Sequence, residues 1–386
     1  MSQLSLMDEC IDRGRTPVSP VMSTHQLKSL HVKMAALGAR NLNSRHQPLQ
    51  ETMAIGHPPL LFSSRPRSDI LENKDDYNTN NHPFANLPPR LQALEKAQKP
   101  ASVYAANLQE TKFSLWRPIL TSLQNPPTPI SLPAGLSGTI PLTASACRLL
   151  KEAITIGMQV GRISQMHKED VDDLLLPLLQ PYFQEPGRQY FVRMDECSPK
   201  DGVNKMGPYG DPGTVIEGLV TSVRCFKAIR NMVDDDEKPV YSQECIHMVP
   251  WRDDVHTENE WRMFVPPSGR VRAISQYTER DVGWSIGTEG TRSDLSTMVG
   301  KIMELGEELR RKAEERGVRL PAEGYVLDVH AKKRKGEWII EPVELNGFGA
   351  QMSSGSGLFN WLWDWERMYG GGDLVELRVV GNRDTI

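Results

Sequence analysis

The chain has 386 residues, of which 39% are hydrophobic and 24% charged, enough for one large globular domain or two medium ones. Its 45 basic and 49 acidic side chains leave a formal net charge of -4, which excludes a global basic field that would attract nucleic acid. The sequence contains no apolar stretch long enough to cross a membrane and no apolar run of signal-peptide type near its start. We therefore expect a cytoplasmic protein without a membrane partner.

The five cysteines are Cys10, Cys147, Cys197, Cys225 and Cys245. Their number is odd, their spacings are wide, and no C-x-x-C motif occurs. This pattern argues against a disulfide scaffold and against a structural zinc site. Reduced thiols are typical of cytosolic proteins.

The first part of the chain, residues 1–105, is rich in Ser, Asn, His and Pro. Such a composition cannot bury enough apolar surface to offset the entropy lost on ordering, so the sequence predicts a low-complexity, mostly disordered extension. The ordered domain is expected to cover 106–386. We divide it into two lobes, roughly 106–250 and 251–386.

The first lobe is predicted to be mixed in secondary structure. Residues 145–157 and 214–232 carry apolar side chains at helical spacing. Residues 189–194 and 245–249 are short and rich in β-forming residues, which indicates strands. Residues 198–202 (SPKDG) are typical of a turn.

The second lobe contains the clearest periodicity. Residues 294–316 predict a long helix that ends before Gly317 and Pro321. Strands are predicted at 261–265 and 271–275, joined as a hairpin, and at 324–330 and 338–345. Together the elements predict an α+β fold with largely antiparallel sheets and flanking helices.

The last predicted strand pair carries a candidate metal site. Residues two apart on a strand share a face, so Glu344 and Asn346 point the same way, and Asp328 on the preceding strand can face them. Two carboxylates and an amide oxygen are hard donors that suit Mg²⁺. The alternative is an ordinary polar strand face.

A second set of candidates consists of basic residues close to predicted turns or strands. Arg193 is near the end of a strand, Lys200 is in the following turn, and Arg262 is within a strand. Each could neutralise phosphate groups of a nucleotide. Taken alone, each is more often a surface charge or part of a salt bridge.

A third candidate is the acidic segment between Trp251 and Trp261. It contains Asp253, Asp254, Glu258 and Glu260. Such a cluster could bind a metal, do acid–base chemistry, or hold a cationic group such as an arginine side chain through bidentate pairing. The alternative is a solvated acidic loop before a strand.

Several short motifs, taken in order, resemble the cell division cycle 123 protein family. They extend over about residues 110 to 370 and lie at Lys112–Pro118, Phe191–Gly202, Glu260–Val265, Ile274–Gln276, Val326–Val329 and Glu344–Gly349. The resemblance implies an ATP-grasp-like fold that binds Mg²⁺ and ATP. The family's metal ligands map onto Asp328, Glu344 and Asn346, the same set that the strand pattern indicates.

The sequence departs from the family at three positions. Arg193 matches the family's phosphate-binding lysine, Glu344 matches an aspartate, and Gly347 matches a proline. Arginine and lysine are not equivalent where a point charge approaches phosphate. These differences indicate a divergent fungal paralogue.

The resemblance implies two different functions. Our leading hypothesis is biosynthetic peptide-bond formation in fungal secondary metabolism, because the chain looks similar to arginine-containing cyclodipeptide synthases. These join amino acids from aminoacyl-tRNAs, here arginyl-tRNA, and depend on a D-D-x-x-E type motif. Asp253, Asp254 and Glu258 match that motif with one residue too many.

The alternative hypothesis is that the chain has the function of the housekeeping family members. These are Mg-ATP-binding chaperones that assemble translation initiation factor 2. A third hypothesis is a degenerate ATP-grasp fold without activity.

Overall fold

The computed structural model describes residues 49–51, 58–66, 101–124, 132–230, 244–277, 283–284, 286–349, 352, 354–361, 364–370 and 372–381. These residues fall within one compact unit, Pro48–Ile386. Most of the extension that we predicted to be disordered lies outside the described residues.

The described elements are ten strands, eight α-helices and two 3-10 turns. The strands are β1 (Leu49–Glu51), β2 (Leu60–Pro66), β3 (Thr139–Leu142), β4 (Tyr190–Met194), β5 (Glu244–Pro250), β6 (Glu260–Val265), β7 (Ala273–Gln276), β8 (Tyr325–Arg334), β9 (Glu337–Gly347) and β10 (Val375–Gly381). The helices are α1 (Ala101–Glu110), α2 (Phe113–Ser122), α3 (Ala144–Val160), α4 (Gln165–Leu179), α5 (Pro212–Val220), α6 (Val223–Arg230), α7 (Glu289–Glu315) and α8 (Trp365–Tyr369). The 3-10 turns are Gln180–Phe183 and Thr257–Asn259.

The strands form two sheets. The large sheet has the order β1-β2-β10-β7-β6-β8-β9, and the small sheet has the order β3-β5-β4. Neighbouring strands are antiparallel except that β10 is parallel to both β2 and β7. The predicted α+β class, with largely antiparallel sheets and flanking helices, is confirmed.

The small sheet packs against helices α3 to α6. Its core is formed by strand residues such as Val192, Ile246 and Met248 together with buried helix residues such as Leu150 and Ile154. Helix α3 begins at a Thr143 cap whose hydroxyl accepts a hydrogen bond from the Ala146 amide at 3.2 Å. It ends at Gly161, which adopts the left-handed conformation (φ 69°) that ends many helices.

The prediction of one continuous helix over 214–232 is wrong, because the structure divides this segment into α5 and α6. The break falls at Thr221 and Ser222. The Ser222 hydroxyl accepts a hydrogen bond from the Cys225 amide at 3.1 Å and donates one to Asp201 Oδ1 at 2.5 Å. A serine that caps a new helix and binds a distant carboxylate favours two short helices over one continuous helix.

One face of the large sheet is apolar and is covered by α2 and α7. Strands β6 to β10 contribute alternate residues to this core. Helix α7 contributes the apolar residues whose spacing predicted the helix: Leu295, Met298, Val299, Ile302, Leu305 and Leu309. The helix starts earlier than predicted, at Glu289, because the Thr288 hydroxyl caps it through the Thr291 amide. Because side chains alternate between the two faces of a strand, the residues between these apolar positions lie on the opposite face of the sheet.

Strands β2 and β10 were not predicted. Leu60 and Phe62 of β2 are 0% and 1% exposed, and β2 pairs in parallel with β10 near the other end of the chain. The segment Leu60–Pro66 therefore corrects part of the predicted disordered extension. Its apolar run is short and its partner is more than 300 residues away, so local composition does not reveal the pairing.

Within the described part of the chain, no helix is both long and apolar enough to cross a bilayer. Cys147, Cys197, Cys225 and Cys245 are free thiols and all are buried. Buried thiols of this kind pack as small apolar groups. Cys10 lies outside the described residues.

The burial of Phe62 leads to a stability prediction. Phe62→Ala should lower the free energy of unfolding by about 3–5 kcal/mol, because a buried phenyl ring is lost and a cavity is left in the core. Chemical denaturation of the full chain measures the change. Leu115→Ala removes a side chain that is 39% exposed on α2 and should change the free energy by less than about 1 kcal/mol. Equal effects of the two changes would show that β2 is not part of the core.

Candidate functional site

The face of the large sheet opposite α2 and α7 carries a row of polar side chains. Residues directly opposite each other on paired strands share a face, so the register places one residue from each of five neighbouring strands in line. We call this set the polar row: Arg378, Ser275, Arg262, Asp328 and Glu344. The first four are buried. A buried charge is costly unless it is paired, so the pairing within the row determines its geometry.

A β-bulge in β9 brings an additional carboxylate to this face. Asp328 pairs with Glu344, but the next residue, Val329, pairs with Pro342, so Val343 is an extra residue on β9. Because side chains alternate between faces, an extra residue lets Glu341 and Glu344 point to the same side although they are three positions apart. Glu341 lies opposite His330, one step along the face from the polar row.

The centre of the row is a bidentate ion pair between Arg262 and Asp328. Arg262 Nε donates to Asp328 Oδ1 and Nη2 donates to Oδ2, both at 2.7 Å. The two side chains are 6% and 1% exposed. Burial opposes the charge on Arg262, but the Asp328 carboxylate holds the pKa of Arg262 above its usual range. The remaining Arg262 nitrogen donates to the Gly355 carbonyl.

A second ion pair joins the two sheets. Arg193, on β4 of the small sheet, donates from Nη1 to Glu344 Oε2 on β9 of the large sheet. The Arg193 guanidinium also stacks on the Phe113 ring, 4.2 Å from its centroid. Burial favours the neutral form of Glu344, but Arg193 and Lys200 hold the pKa of this carboxyl below its usual range. Glu344 is therefore ionised at neutral pH.

Lys200 reaches the same region from the turn after β4. Its Nζ donates to the Tyr277 hydroxyl at 3.3 Å, and the Tyr277 ring lies 4.7 Å from Arg262 Cζ. The turn is held by Arg224 Nε, which donates to the Ser198 carbonyl at 3.1 Å. Among the described ion pairs none involves Lys200. Tyr277 was missed by the sequence analysis, although it directly follows the Ile274–Gln276 motif.

Asn346 connects the two predicted metal-binding carboxylates. Its Nδ2 donates to Asp328 Oδ2 and to Glu344 Oε1, each at 3.2 Å. Rotation of the amide by 180° would place its oxygen where the nitrogen now lies. Neighbouring oxygens around Mg²⁺ are about 2.9 Å apart, since Mg–O bonds of about 2.0–2.1 Å meet at right angles. The two distances from the Asn346 amide are therefore close to the spacing of neighbouring ligands around Mg²⁺.

A buried hydrogen-bond network supports Arg193 from behind. Asp195 Oδ1 lies 2.9 Å from His247 Nε2 and accepts from the Ser114 amide at 2.6 Å. His247 Nδ1 lies 3.2 Å from the Thr139 hydroxyl. Burial lowers the pKa of His247, which is therefore neutral at physiological pH. The network ties α2, β3, β4 and β5 together and fixes the position of β4 beside the large sheet.

The structure does not bring the four acidic residues of the predicted catalytic set together. Asp253 and Asp254 are exposed and engaged locally: Asp253 accepts from Trp251 Nε1 at 2.9 Å, and Asp254 accepts from Arg252 and Lys332. The pairing with Arg252 holds the pKa of Asp254 below its usual range.

Glu258 is also exposed, in the 3-10 turn before β6. Of the four acids, Glu260 alone lies on the face of the polar row, because it begins β6 two residues before Arg262 and therefore shares its face. Burial raises the pKa of Glu260 to about 7, and the nearby Asp328 carboxylate adds to the effect. The four acids thus occupy two environments, one solvated and one half-buried.

The other predicted site residues do assemble. The structure places Arg193, Lys200, Arg262, Asp328, Glu344 and Asn346 in one connected group, which we call the central cluster together with Glu260 and Tyr277. It lies where β4 and the Lys200 turn meet the polar row. Fold and site together define an α+β protein with a buried, charge-paired cluster between two sheets.

No protein-family model and no curated protein matches the sequence. The structure is similar to that of Cdc123 from Schizosaccharomyces pombe, with a TM-score of 0.49 and 18% sequence identity over 72% of this chain and 98% of that chain. It is also similar to a C-terminally truncated Cdc123 from the same organism, with a TM-score of 0.47 and 17% identity over 72% of this chain and 98% of that chain.

The raised pKa of Glu260 predicts a pH-dependent stability. The pKa moves from an ordinary value of 4.5 to about 7, so between these values the folded protein holds a proton that the unfolded chain has released. Raising the pH through this window therefore destabilises the fold, by up to about 3 kcal/mol. Glu260→Gln should remove this component from the pH dependence measured by chemical denaturation.

Glu258→Gln makes the same chemical change at an exposed position and serves as the control. Its stability curve should follow that of the wild type. If Glu260→Gln also followed the wild type between pH 4.5 and 7, the Glu260 carboxyl would be solvated and not part of the central cluster.

Proposed function

We propose that the chain binds a magnesium–nucleotide complex, with ATP as the nucleotide, at the central cluster. The observation that carries the proposal is the assembly itself. Arg193 and Lys200 come from the small-sheet side and Asp328, Glu344 and Asn346 from the β8–β9 hairpin, yet they meet in one connected group. Cationic side chains beside a set of hard oxygen donors are the elements that a metal-bound polyphosphate requires.

Lys200 is the residue best prepared to receive a phosphate group. Its ammonium donates a hydrogen bond to the Tyr277 hydroxyl, and no described carboxylate forms an ion pair with it. Burial opposes its charge, but Tyr277, Glu344 and Glu260 keep the pKa of Lys200 above its ordinary value. The side chain is therefore charged at neutral pH, and hydrogen bonds to the Ser198 and Pro199 carbonyls hold the turn that carries it.

Asp328, Glu344 and Asn346 would hold the metal, which when bound supplies positive charge next to the phosphate oxygens. The neighbouring arginines orient the two carboxylates. Arg262 fixes both oxygens of Asp328, and Arg193 fixes one oxygen of Glu344. Preorganised ligands of this kind lose little conformational entropy when a ligand binds.

For the biological role we propose an assembly chaperone that acts on subunits of translation initiation factor 2. The support is the sequence resemblance to the cell division cycle 123 protein family together with the central cluster. The second candidate is the cyclodipeptide synthase that uses arginyl-tRNA. It requires free acids near Asp254, but Asp254 already accepts hydrogen bonds from Arg252 and Lys332, and Glu260 lies in a different environment.

The nucleotide proposal predicts a binding defect for Lys200→Met. Loss of a charged hydrogen bond to phosphate should weaken Mg–ATP binding by about 10- to 100-fold. Isothermal titration calorimetry on the full chain measures the affinity. Arg334→Met removes a cation from the exposed end of the β8–β9 hairpin and should leave the affinity unchanged. If the two variants bind alike, Lys200 does not contact the nucleotide.

Expression of the full chain in a yeast host distinguishes the assembly chaperone from the cyclodipeptide synthase. We expect subunits of initiation factor 2 to co-purify with the wild type and to be lost with Lys200→Met, while Asp254→Asn retains them. Mass spectrometry of the purified complex and of cell extracts is the measurement. A new arginine-containing cyclic dipeptide in the extracts, abolished by Asp254→Asn, would instead establish the synthase.

A further inference from the structure

A second group of potential metal ligands lies in the small sheet. It consists of Asp195, Cys245 and His247, all of them buried, and we call it the small-sheet cluster. Each residue offers one ligand atom, a carboxylate oxygen, a sulfur or an imidazole nitrogen, and these three atoms lie within 4.8 Å of one another. Among the residues that the structure describes, no other three such side chains come this close together.

Strand pairing brings the three residues together. Cys245 and His247 are two positions apart on β5, so they share a face of the small sheet. On β4, Arg193 pairs with His247, and Asp195 follows two residues later on the same face. The two strands are distant in the chain, so the cysteine spacing that argues against a zinc site in the sequence does not reveal the cluster.

Two of the three ligands already have partners of the kind that orient metal ligands. The Thr139 hydroxyl lies 3.2 Å from His247 Nδ1, which leaves Nε2 directed at Asp195 Oδ1 at 2.9 Å. The Ser114 amide donates to Asp195 Oδ1 at 2.6 Å. Such outer contacts fix the ring and the carboxylate, and in metalloproteins they raise the affinity for the ion.

The charges around the small-sheet cluster also suit a divalent cation. Such an ion bound to the Asp195 carboxylate and a Cys245 thiolate forms a neutral group, which can be buried without a further counter-charge. The nearest arginines have other partners. Arg193 is paired with Glu344, and Arg117 donates to backbone carbonyls.

Glu244 provides a second, independent indication of a bound cation. Its side chain is 0% exposed, and its Oε1 accepts from the Asp195 amide at 2.8 Å. Its Oε2 has no hydrogen-bond partner among the described residues, and Lys112 Nζ is 3.9 Å away. Buried carboxylate oxygens are rarely left without a hydrogen bond, so this oxygen is available as an additional donor.

We propose that Asp195, Cys245 and His247 bind Zn²⁺, with Glu244 as the fourth donor. Thiolate, imidazole and carboxylate are the ligand types of protein zinc sites, and four ligands are usual where the ion is structural. Because the set is buried, the ion is incorporated as the chain folds and holds β4 to β5 beneath α2. The proposal is independent of the nucleotide site.

Metal binding requires only small changes in this geometry. Zinc bonds of about 2.0–2.1 Å at tetrahedral angles place neighbouring ligands about 3.3 Å apart, so Asp195 Oδ1 and His247 Nε2 separate by a few tenths of an ångström. The Cys245 thiol releases its proton to solvent. The imidazole proton resides on Nδ1, where the Thr139 hydroxyl accepts it.

Metal analysis of the full chain tests the proposal. The protein is expressed in zinc-supplemented medium and purified without chelator, and its zinc content is measured by inductively coupled plasma mass spectrometry. We expect about one zinc ion per wild-type chain and loss of that ion in Cys245→Ser and His247→Gln. Cys147→Ser changes a buried thiol outside the cluster and should retain zinc. Asp328→Asn should retain it too, which excludes the central cluster as the zinc site.

Cobalt substitution identifies the thiolate ligand. The wild type and Cys147→Ser, expressed with Co²⁺, should show the charge-transfer absorption of a cysteine-bound cobalt ion, and Cys245→Ser should lack it. Circular dichroism establishes that each variant is folded. If Cys245→Ser does not fold, the wild-type cobalt spectrum decides whether a thiolate binds the ion, and Glu244→Gln, which keeps three ligands, should weaken zinc binding about 10- to 100-fold.

A folded wild type that carries no zinc and shows no cobalt–thiolate absorption would overturn the proposal. Equal zinc contents in the wild type, Cys245→Ser and His247→Gln would also overturn it, because the ion would then lie elsewhere. In either case Asp195, Cys245 and His247 form a hydrogen-bonded group without a metal.

Discussion

The bidentate pair between Arg262 and Asp328 is the interaction on which the site depends. Both residues point away from the apolar core of the large sheet, yet they are buried beneath other parts of the chain. A lone charge at this depth would be expelled or neutralised, whereas the two together satisfy each other through parallel hydrogen bonds. The neighbouring positions of the polar row are arranged around this pair.

The same electrostatic requirement connects the two sheets. Glu344, the next residue in the row, is neutralised by Arg193 from β4. The small sheet therefore supplies the cation that pairs with this carboxylate of the large sheet. Asp195 and His247 in turn fix β4 against α2. Charge pairing and hydrogen bonding thus position the small sheet beside the site, while apolar packing stabilises each sheet with its own helices.

The site is therefore compensated internally before any ligand is present. Two of its cations, Arg193 and Arg262, are paired with the carboxylates of Glu344 and Asp328. Internal compensation keeps a buried polar cluster compatible with a stable fold. It also explains why Lys200, which is held by a phenol and not by a carboxylate, is the residue through which recognition of an anion is most directly tested.

The sequence by itself determined the α+β class, the helix α7 and the β6–β7 and β8–β9 hairpins, because helical and strand periodicities are local properties. It also selected Asp328, Glu344 and Asn346 as neighbours, since alternation along paired strands is fixed by the backbone.

Only the tertiary structure decided that β2 joins β10, that Glu260 separates from Asp253, Asp254 and Glu258, and that Arg193 meets Glu344. These outcomes depend on contacts between distant segments and on burial. Charge pairing across sheets has no signature in local sequence, because each partner alone is a common polar residue whose role is set by what the fold places beside it.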